Sequence, residues 1–497
     1  MRKAGILLPV SAIKSKFGIG CFSSDAYEFV DWLSGAGQEY WQILPLGATG
    51  FGDSPYQSFS SFAGNPYYIS LEDLVKEGLL KDDEIEEKHG TERFIDYKWL
   101  YETRIKTLKK AFERFDTKDE DFFNFTTENL KWLENYALFM ALKSYYNGLP
   151  WHEWDFEIRM YQEKDVEKLL PLLQGEIDFW KFVQYKFYTQ WQKLKSYANE
   201  KGIKIIGDIP IYVAYDSVDV WSNPALFELE PDKTPINIAG CPPDGFSRTG
   251  QLWGNPLYKW DVHKESGFLW WIDRLKHCFN MYDALRIDHF RGFDEYYSIP
   301  YGSKDATNGK WRKAPGKELF KVVKERLGKK EIIAEDLGFI TEDVKELLDF
   351  CQFPGMKVFQ FGFDERDTGN KNNHLPHNYE VSSVAYTGTH DNSTIVSWFF
   401  EITKKEREMV RAYLCDYHTP DSEINFPIIG SLMRSNSSLV IIPLQDYLGY
   451  DSRSRINTPS TVGANWIWRS TKIDFSKELQ EKIKKITQIT GRKTECE

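Results

Sequence analysis

The sequence predicts an α/β protein built on a (β/α)8 TIM barrel, and two observations carry that prediction. Eight short, almost uniformly apolar runs are spread along the chain, which is typical of strands in a parallel sheet covered on both faces. Amphipathic helical segments can be read between several of these runs. Alternating strands and helices form either a closed barrel or an open doubly wound sheet, and eight strands favour the barrel.

The eight candidate strands are each bounded by turn residues. In chain order they lie near residues 4–8, 40–44, 203–207, 284–287, 332–334, 356–361, 383–386 and 439–443. These runs lack the polar alternation of a sheet with one wet face, so we expect a buried parallel sheet.

Two helices between these strands can be read with their ends. The first is expected to begin with Asp25 at its cap and Glu28 at the third position, and to end before Gly35 and Gly37. The second ends at Gly202 and has apolar residues at helical spacing, namely Trp180, Val183, Phe187, Trp191, Leu194 and Ala198.

The uneven spacing of the strands predicts two insertions within a single barrel domain, residues 1–497. Residues 48–200, after the second strand, far exceed one crossover, and their charge-rich pattern predicts a mostly helical insertion. Residues 211–271, after the third strand, are rich in Pro, Gly and Trp. They predict a loop-rich insertion over the cleft at the mouth of the barrel.

Composition argues against several classes of function. The net charge of -11 argues against a nucleic-acid partner, which needs a basic surface, and against anionic membranes. The six cysteines show neither CxxC nor metal-ligand spacing, so we expect reduced thiols in a cytoplasmic protein. Pro9 and Lys14 cut the apolar start of the chain, which favours a buried first strand over a signal peptide.

Three segments place a carboxylate just after a predicted strand: Arg286-Ile-Asp288, Ala334-Glu335 and His390-Asp391. In a parallel barrel the C-terminal ends of all strands face one mouth, so these groups are expected to converge there. Two carboxyl groups on either side of a sugar form a glycosidase-type centre.

Arg286 and Asp288 lie two apart on a strand and therefore share a face. The guanidinium is expected to lower the pKa of Asp288, as a carboxylate nucleophile requires. From these two residues alone, an Arg–Asp pair that braces the strand end is an equally good interpretation.

Glu335 follows an apolar run and precedes Asp336, so its pKa is expected to be raised, as a general acid requires. A loop glutamate that caps a helix is the competing interpretation. His390 and Asp391 could hold adjacent hydroxyls of one sugar ring, or could be structural. The occurrence of all three segments at strand ends favours the catalytic interpretation.

Longer motifs resemble one enzyme family. Arg286-Ile-Asp288-His289, Glu335-Asp-Leu and His390-Asp391, with Gly207-Asp208-Ile-Pro210, resemble the conserved regions of the α-amylase clan. Fuller matches resemble its 4-α-glucanotransferases, the amylomaltases or disproportionating enzymes. They include Asp53-Ser-Pro-Tyr56, the Pro242–Pro256 loop, Gly355-Met356-Lys-Val and Asn457-Thr-Pro. The resemblance runs from Gly5 to about Trp468.

The resemblance implies a role for each matching residue. Asp288 would be the nucleophile, Glu335 the acid/base and Asp391 the transition-state stabiliser. The substrate-binding residues would be Tyr56, Asp208, Arg286, His289 and His390 around the attacked ring, Gln251 and Trp253 on the arching loop, and Asp244, Asp364 and Asn457 at flanking sugars. The segment Leu7-Leu8-Pro9-Val10-Ser11 departs from many relatives, so no contact is assigned to it.

The expected function is therefore retaining transfer of α-1,4-linked glucan segments through a glycosyl-Asp288 intermediate. The expected partners are maltooligosaccharides, starch- or glycogen-type glucans, and glucose as acceptor, without a cofactor or metal. The family also lacks the C-terminal β-sandwich of amylases, and too few residues follow the eighth strand for one. A hydrolase with the same centre, or a non-catalytic glycan-binding barrel, are the alternatives.

Overall fold

The computed structural model describes residues 2–50, 52–87, 93–243, 247–338, 340–366 and 370–493. Its strands are β1 Lys3–Leu7, β2 Tyr40–Gln42, β3 Lys204–Pro210, β4 Asn237–Cys241, β5 Gln251–Pro256, β6 Ala284–Asp288, β7 Glu295–Pro300, β8 Lys310–Lys313, β9 Ile332–Ala334, β10 Gly355–Val358, β11 Ser383–Tyr386 and β12 Leu439–Pro443.

Eight of these strands close into a parallel barrel in the order β1-β12-β11-β10-β9-β6-β3-β2. The predicted barrel is confirmed, and each of the eight predicted runs overlaps one of its strands. The sixth run, 356–361, was extended too far, because the chain turns into a 3-10 helix at Phe359–Gly362. The third strand was predicted too short, since β3 continues to Pro210 and so contains Asp208.

Helices surround the barrel and fill the segments between its strands. They are α1 Ser24–Gly35, α2 Leu71–Lys76, α3 Tyr97–Phe112, α4 Glu120–Glu128, α5 Leu130–Tyr145, α6 Phe156–Arg159, α7 Glu163–Glu200, α8 Val218–Ser222, α9 Trp260–Glu265, α10 Leu269–Met281, α11 Gly316–Leu327, α12 Glu342–Cys351, α13 Ile395–Glu401, α14 Lys404–Leu414, α15 Asn425–Arg434, α16 Leu444–Leu448 and α17 Lys477–Ile489. Among the described residues, no helix combines the length and apolar character needed to cross a bilayer.

Both predicted helices form, with different starts. α1 begins at Ser24 after the cap residue Ser23, so Asp25 lies in the first turn, where its charge favours the helix dipole. The second predicted helix is the C-terminal half of α7, a helix of 38 residues. Helices α2 to α7 all lie between β2 and β3, and the division of the chain at residues 48–200 remains a prediction.

The segment after β3 is more ordered than its composition suggested. β4 and β5 form an antiparallel sheet with β7 and β8, in the order β5-β4-β7-β8. The expectation of a mainly loop-like segment was therefore incomplete. β4 pairs with residues beyond β6, Ile238 opposite Ile299, and local sequence pattern does not report such long-range pairing.

The barrel strands alternate between an interior and an exterior hydrophobic cluster. In β12, Leu439 and Ile441 belong to the interior cluster, to which all eight strands contribute, and Val440 belongs to the exterior one. The same alternation places Ala284 inside and Leu285 outside. This two-residue period determines which side chains reach the mouth of the barrel.

Candidate active site

Three polar residues occupy interior-facing positions of two strands, close to the mouth of the barrel. Asp208 follows interior Ile206 in β3, and Arg286 and Asp288 follow interior Ala284 in β6. β3 and β6 are adjacent, with Asp208 in register with Arg286. The two-residue period therefore directs all three side chains toward the same opening.

Arg286 joins two carboxylates. Its Nη1 donates to both carboxylate oxygens of Asp208 at 2.9 and 2.7 Å, and its Nη2 donates to Asp288 Oδ1 at 2.8 Å. The Arg286 and Asp208 side chains are 4% and 0% exposed, whereas that of Asp288 is 30% exposed. Burial disfavours the charge of Arg286, but the two carboxylates hold its pKa well above the ordinary value. Asp288 is thus the carboxylate of this group that a ligand can reach.

Glu335 follows β9 and keeps its proton more readily than a free glutamate. Burial and the neighbouring Asp288 raise its pKa to about 8, although Arg286 opposes the shift. The backbone N–H groups of His289 and Leu337 donate to its two oxygens at 2.7 and 2.8 Å, which fixes the carboxyl group. The raised pKa was predicted, but the charged neighbour responsible is Asp288.

Asp336, which was expected to raise the pKa of Glu335, is directed elsewhere. Its Oδ1 accepts a hydrogen bond from the backbone N–H of Met356 at 2.6 Å. Glu335 and Asp336 lie beyond the end of β9, where the alternation of side chains along a strand no longer applies. The sequence alone therefore did not indicate the direction of either side chain.

Asp391 is held by the segment that follows the last barrel strand. Asn457 Nδ2 donates to Asp391 Oδ1 at 2.6 Å, and Arg455 Nη2 donates to the Asp391 carbonyl at 2.5 Å. His390 Nε2 lies 3.4 Å from the same Asp391 oxygen. The Asp391 side chain stays 42% exposed, so it can still contact a ligand.

Aromatic rings form one wall of the mouth. The Tyr56 and His390 rings stack, with centroids 5.2 Å apart and planes at 14°. Trp466 packs at 5.9 Å from Tyr56 and 5.8 Å from His390. The Tyr56 hydroxyl donates to Asp208 Oδ2 at 2.8 Å, which connects this wall to the Arg286 group.

A second aromatic contact comes from the antiparallel sheet. Trp253 of β5 meets the His289 ring edge-on, with centroids 4.8 Å apart, and its Nε1 donates to Gln251 Oε1 at 3.1 Å. Burial lowers the pKa of His289 to about 4, so the imidazole is neutral near neutral pH. Within the described part of the chain, the buried His289 Nε2 has no hydrogen-bond partner.

One predicted substrate contact, Asp364, is not joined to this group, and another cannot be placed. Asp364 makes its hydrogen bonds to nearby Arg366, which lowers the pKa of Asp364 to about 2. Asp244 lies outside the described residues. In the described ranges, no cluster of three His, Cys, Asp or Glu side chains could hold a metal ion.

Sequence reasoning missed Arg455 and Trp466. Arg455 stands two residues before the Asn457 motif, so extending that motif would have found it. Trp466 reaches Tyr56 only because the chain folds back, with its N–H donating to the Ile456 carbonyl at 2.7 Å. That reversal has no local signal beyond the nearby proline and glycine.

Comparisons with known proteins show the family of this chain. The profile of the 4-alpha-glucanotransferase family matches residues 8–474. A 4-alpha-glucanotransferase of Clostridium butyricum is 48% identical over 97% of this chain and 99% of its own length. The chain belongs to the 4-alpha-glucanotransferase family. A family member from Streptococcus pneumoniae is 44% identical over 99% of this chain and 97% of its own length.

A solved structure extends the comparison to three dimensions. Amylomaltase from Streptococcus agalactiae in complex with acarbose has a TM-score of 0.96 and 43% identity to this 4-alpha-glucanotransferase. The match covers 99% of this chain and 100% of that one. The predicted family is therefore confirmed, and with it the assignment of the chain as an enzyme of that class.

Proposed function

We propose that this 4-alpha-glucanotransferase works by a retaining double displacement on Asp288, with Glu335 as its acid and base. The observation that carries the proposal is the pairing of two carboxyl groups in different environments. Arg286 holds Asp288 by a charged hydrogen bond of 2.8 Å, and Asp288 with burial raises the pKa of Glu335 to about 8. Such divergent environments separate a nucleophile from an acid.

In the first step, an Asp288 oxygen attacks the anomeric carbon of the donor glucan. The bond from that carbon to the glycosidic oxygen breaks while the ester bond to Asp288 forms. Glu335 gives its proton to the departing oxygen, which leaves as the 4-hydroxyl of the released chain. Glu335 is then a carboxylate, as the second step requires.

In the second step, the 4-hydroxyl of an acceptor glucose or glucan enters. Glu335 removes its proton, the hydroxyl oxygen attacks the anomeric carbon, and the ester bond to Asp288 breaks. Configuration is retained because the carbon is inverted twice. All atoms come from the two sugars and the two carboxyl groups.

Asp391 and His390 would hold hydroxyls of the attacked ring. A carboxylate that accepts from ring hydroxyls binds more strongly as positive charge develops at the anomeric carbon. Asn457 was predicted to contact a sugar, and its 2.6 Å hydrogen bond to Asp391 suggests a second role, which is to orient that carboxylate. His289, neutral and with Nε2 unpartnered among the described residues, suits a neighbouring hydroxyl.

The expected substrates are maltooligosaccharides and starch- or glycogen-type α-1,4-glucans, with glucose as an acceptor, in the cytoplasm. The Tyr56 ring stacks on His390 and its hydroxyl donates to Asp208, and the Trp253 ring lies against His289. Aromatic faces of this kind suit the C–H faces of glucose rings, because the π face is negative. Gln251 and Asp364 remain proposed contacts at flanking sugars, as does Asp244.

Incubation with maltotriose alone tests the proposal. Transfer produces glucose together with oligosaccharides longer than maltotriose, whereas hydrolysis produces only glucose and maltose. A glycan-binding protein leaves maltotriose unchanged. Asp288→Asn serves as the control, because a product pattern that survives this substitution would remove Asp288 from its role.

A further inference from the structure

A cleft lies between α5 and the outer side of α10. It encloses about 320 Å³ and is lined on one side by Trp132 and Asn135 of α5. The opposite side is one face of α10, since its lining residues follow helical spacing: Trp270, Asp273, Lys276, His277 and Asn280. The volume lies in the range of cavities that bind small molecules.

The cleft follows α10, and one end of it lies toward the catalytic end of the barrel. α10 precedes β6 and runs antiparallel to it, so Trp270, near its start, lies toward the mouth where β6 ends. Phe62, in the loop after β2, and Ser222, after β3, also line the cleft. Loops after parallel barrel strands belong to the catalytic face. One end of the cleft is therefore on the side of the molecule where the mouth opens.

The lining combines aromatic faces with amides. Phe62, Trp132 and Trp270 are all half-buried, and the first two rings lie nearly parallel at 16° with centroids 6.3 Å apart. Four asparagines line the cleft, at positions 129, 135, 223 and 280. The Asn129 amide already donates to the Phe125 carbonyl and accepts from Trp132 Nε1, so a ligand would have to rely on the other three. An amide both donates and accepts hydrogen bonds, which suits a neutral ligand with many hydroxyls.

The charges of the cleft argue against other ligands. Lys131 of α5 pairs with Asp273 of α10, and Glu128 and Lys276 add one charge of each sign. Buried Asp219 adds a third carboxyl group, which accepts a hydrogen bond from the backbone N–H of Ser61. A polyanion would meet the carboxylates, and a lipid chain would bury the ion pair and the amides at a cost. His277 is already engaged, since its Nε2 lies 2.8 Å from the Tyr188 hydroxyl.

We propose that this cleft is an accessory binding site for a second segment of an α-glucan chain. The inference rests on the proposed function, which supplies the polymeric substrate. A chain bound in the cleft delivers its own remaining length to the mouth at a high effective concentration. Short oligosaccharides cannot occupy both places, so the cleft serves only long substrates.

The test compares Trp132→Ala with wild type on two substrates. We expect KM for amylose to rise about five-fold, while kcat/KM for maltotriose stays within about two-fold of wild type. The Trp132 ring also packs against Tyr136, Tyr188 and His277, so the melting temperature should fall, and both substrates are assayed well below it. Phe123→Ala is the matched control, because Phe123 is 64% exposed on neighbouring α4 and does not line the cleft. Equal effects on both substrates, or none on amylose, would overturn the proposal.

A second measurement does not depend on how Trp132→Ala folds. Carbene footprinting of the Asp288→Asn enzyme, with and without amylose, should show protection of residues 128–135 and 269–281 as well as of Tyr56. Protection at Tyr56 without protection of the two helical segments refutes the accessory site. Failure of the proposed function would look different, since wild type would then form no oligosaccharide longer than maltotriose.

Discussion

Glu335→Gln separates the two halves of the proposed mechanism. The substitution keeps the size of the side chain and its acceptor oxygen, but it removes the proton that the departing sugar needs. The backbone N–H groups of His289 and Leu337 surround the carboxyl group, so the amide has to turn its oxygen toward one of them. Asp288 and Arg286 are unchanged, and nucleophilic attack is retained.

The magnitude follows from the role and from the pKa. Loss of general-acid catalysis should lower kcat/KM on maltotriose by roughly 10²- to 10⁴-fold. In wild type, a pKa of about 8 for Glu335 means that activity falls as pH rises above 8, to roughly one tenth at pH 9. In Glu335→Gln this descending limb should disappear, because no titrating acid remains.

Two assays check this. The first is the pH dependence of kcat/KM on maltotriose between pH 5 and about 10. The second uses α-glucosyl fluoride, whose leaving group departs without a proton, with intact-protein mass spectrometry to detect glucosylated enzyme. The adduct should persist in Glu335→Gln, because the base for the second step is missing. Azide, which needs no deprotonation, should release it.

Glu331→Gln is the matched control, since Glu331 precedes the same strand, β9, at its opposite end and accepts a hydrogen bond from Tyr40. It should keep both the activity and the descending limb. The reasoning is refuted if Glu335→Gln retains near-normal activity on maltotriose, or if its residual activity falls above pH 8 as in wild type.

The same group gives a stability prediction. Because burial and Asp288 raise the pKa of Glu335 from an ordinary 4.5 to about 8, the native state holds a proton that the unfolded chain has released. The contribution of Glu335 to the free energy of unfolding therefore falls as pH rises through this window and is constant above it. Denaturant titrations at pH 5 and pH 9 measure how much the free energy of unfolding falls between the two pH values. This decrease should be smaller in Glu335→Gln than in wild type.

Three further substitutions address other residues of the site. Asp288→Asn should lower turnover by several powers of ten with the melting temperature preserved. Each factor of ten corresponds to about 1.4 kcal/mol of activation barrier. A folded variant with near-normal activity would exclude Asp288 as the nucleophile. Asn457→Ala removes the 2.6 Å hydrogen bond to Asp391. A hydrogen bond to a charged acceptor is worth about 1.5–3 kcal/mol, so kcat on maltotriose should fall by roughly 10- to 150-fold with KM little changed. A rise in KM alone would instead make Asn457 a sugar contact. Trp253→Ala should raise the ratio of hydrolysis to transfer several-fold, because an aromatic contact with the acceptor worth about 1 kcal/mol is lost. The measurement is the ratio of released reducing ends to longer products from maltotriose. An unchanged ratio would leave Trp253 as a packing residue.

The sequence by itself predicted the eight barrel strands and the shared face of Arg286 and Asp288. The eight apolar runs could be read because strands buried on both faces must be apolar throughout, whatever else surrounds them. The two-residue period then put Arg286 beside Asp288, as the 2.8 Å hydrogen bond shows. Both rules are local, so neither needs a partner strand to be known.

The tertiary structure decided which distant groups meet. Asp208 receives two hydrogen bonds from Arg286 because β3 and β6 are neighbours in the closed barrel, and Asn457 reaches Asp391 across 66 positions. The sheet of β4, β5, β7 and β8 likewise depends on strands separated by β6. Asp288, rather than adjacent Asp336, raises the pKa of Glu335 for the same physical reason. Electrostatic and hydrogen-bond partners are set by distance in space, and strand order and loop closure set those distances only after the chain has folded.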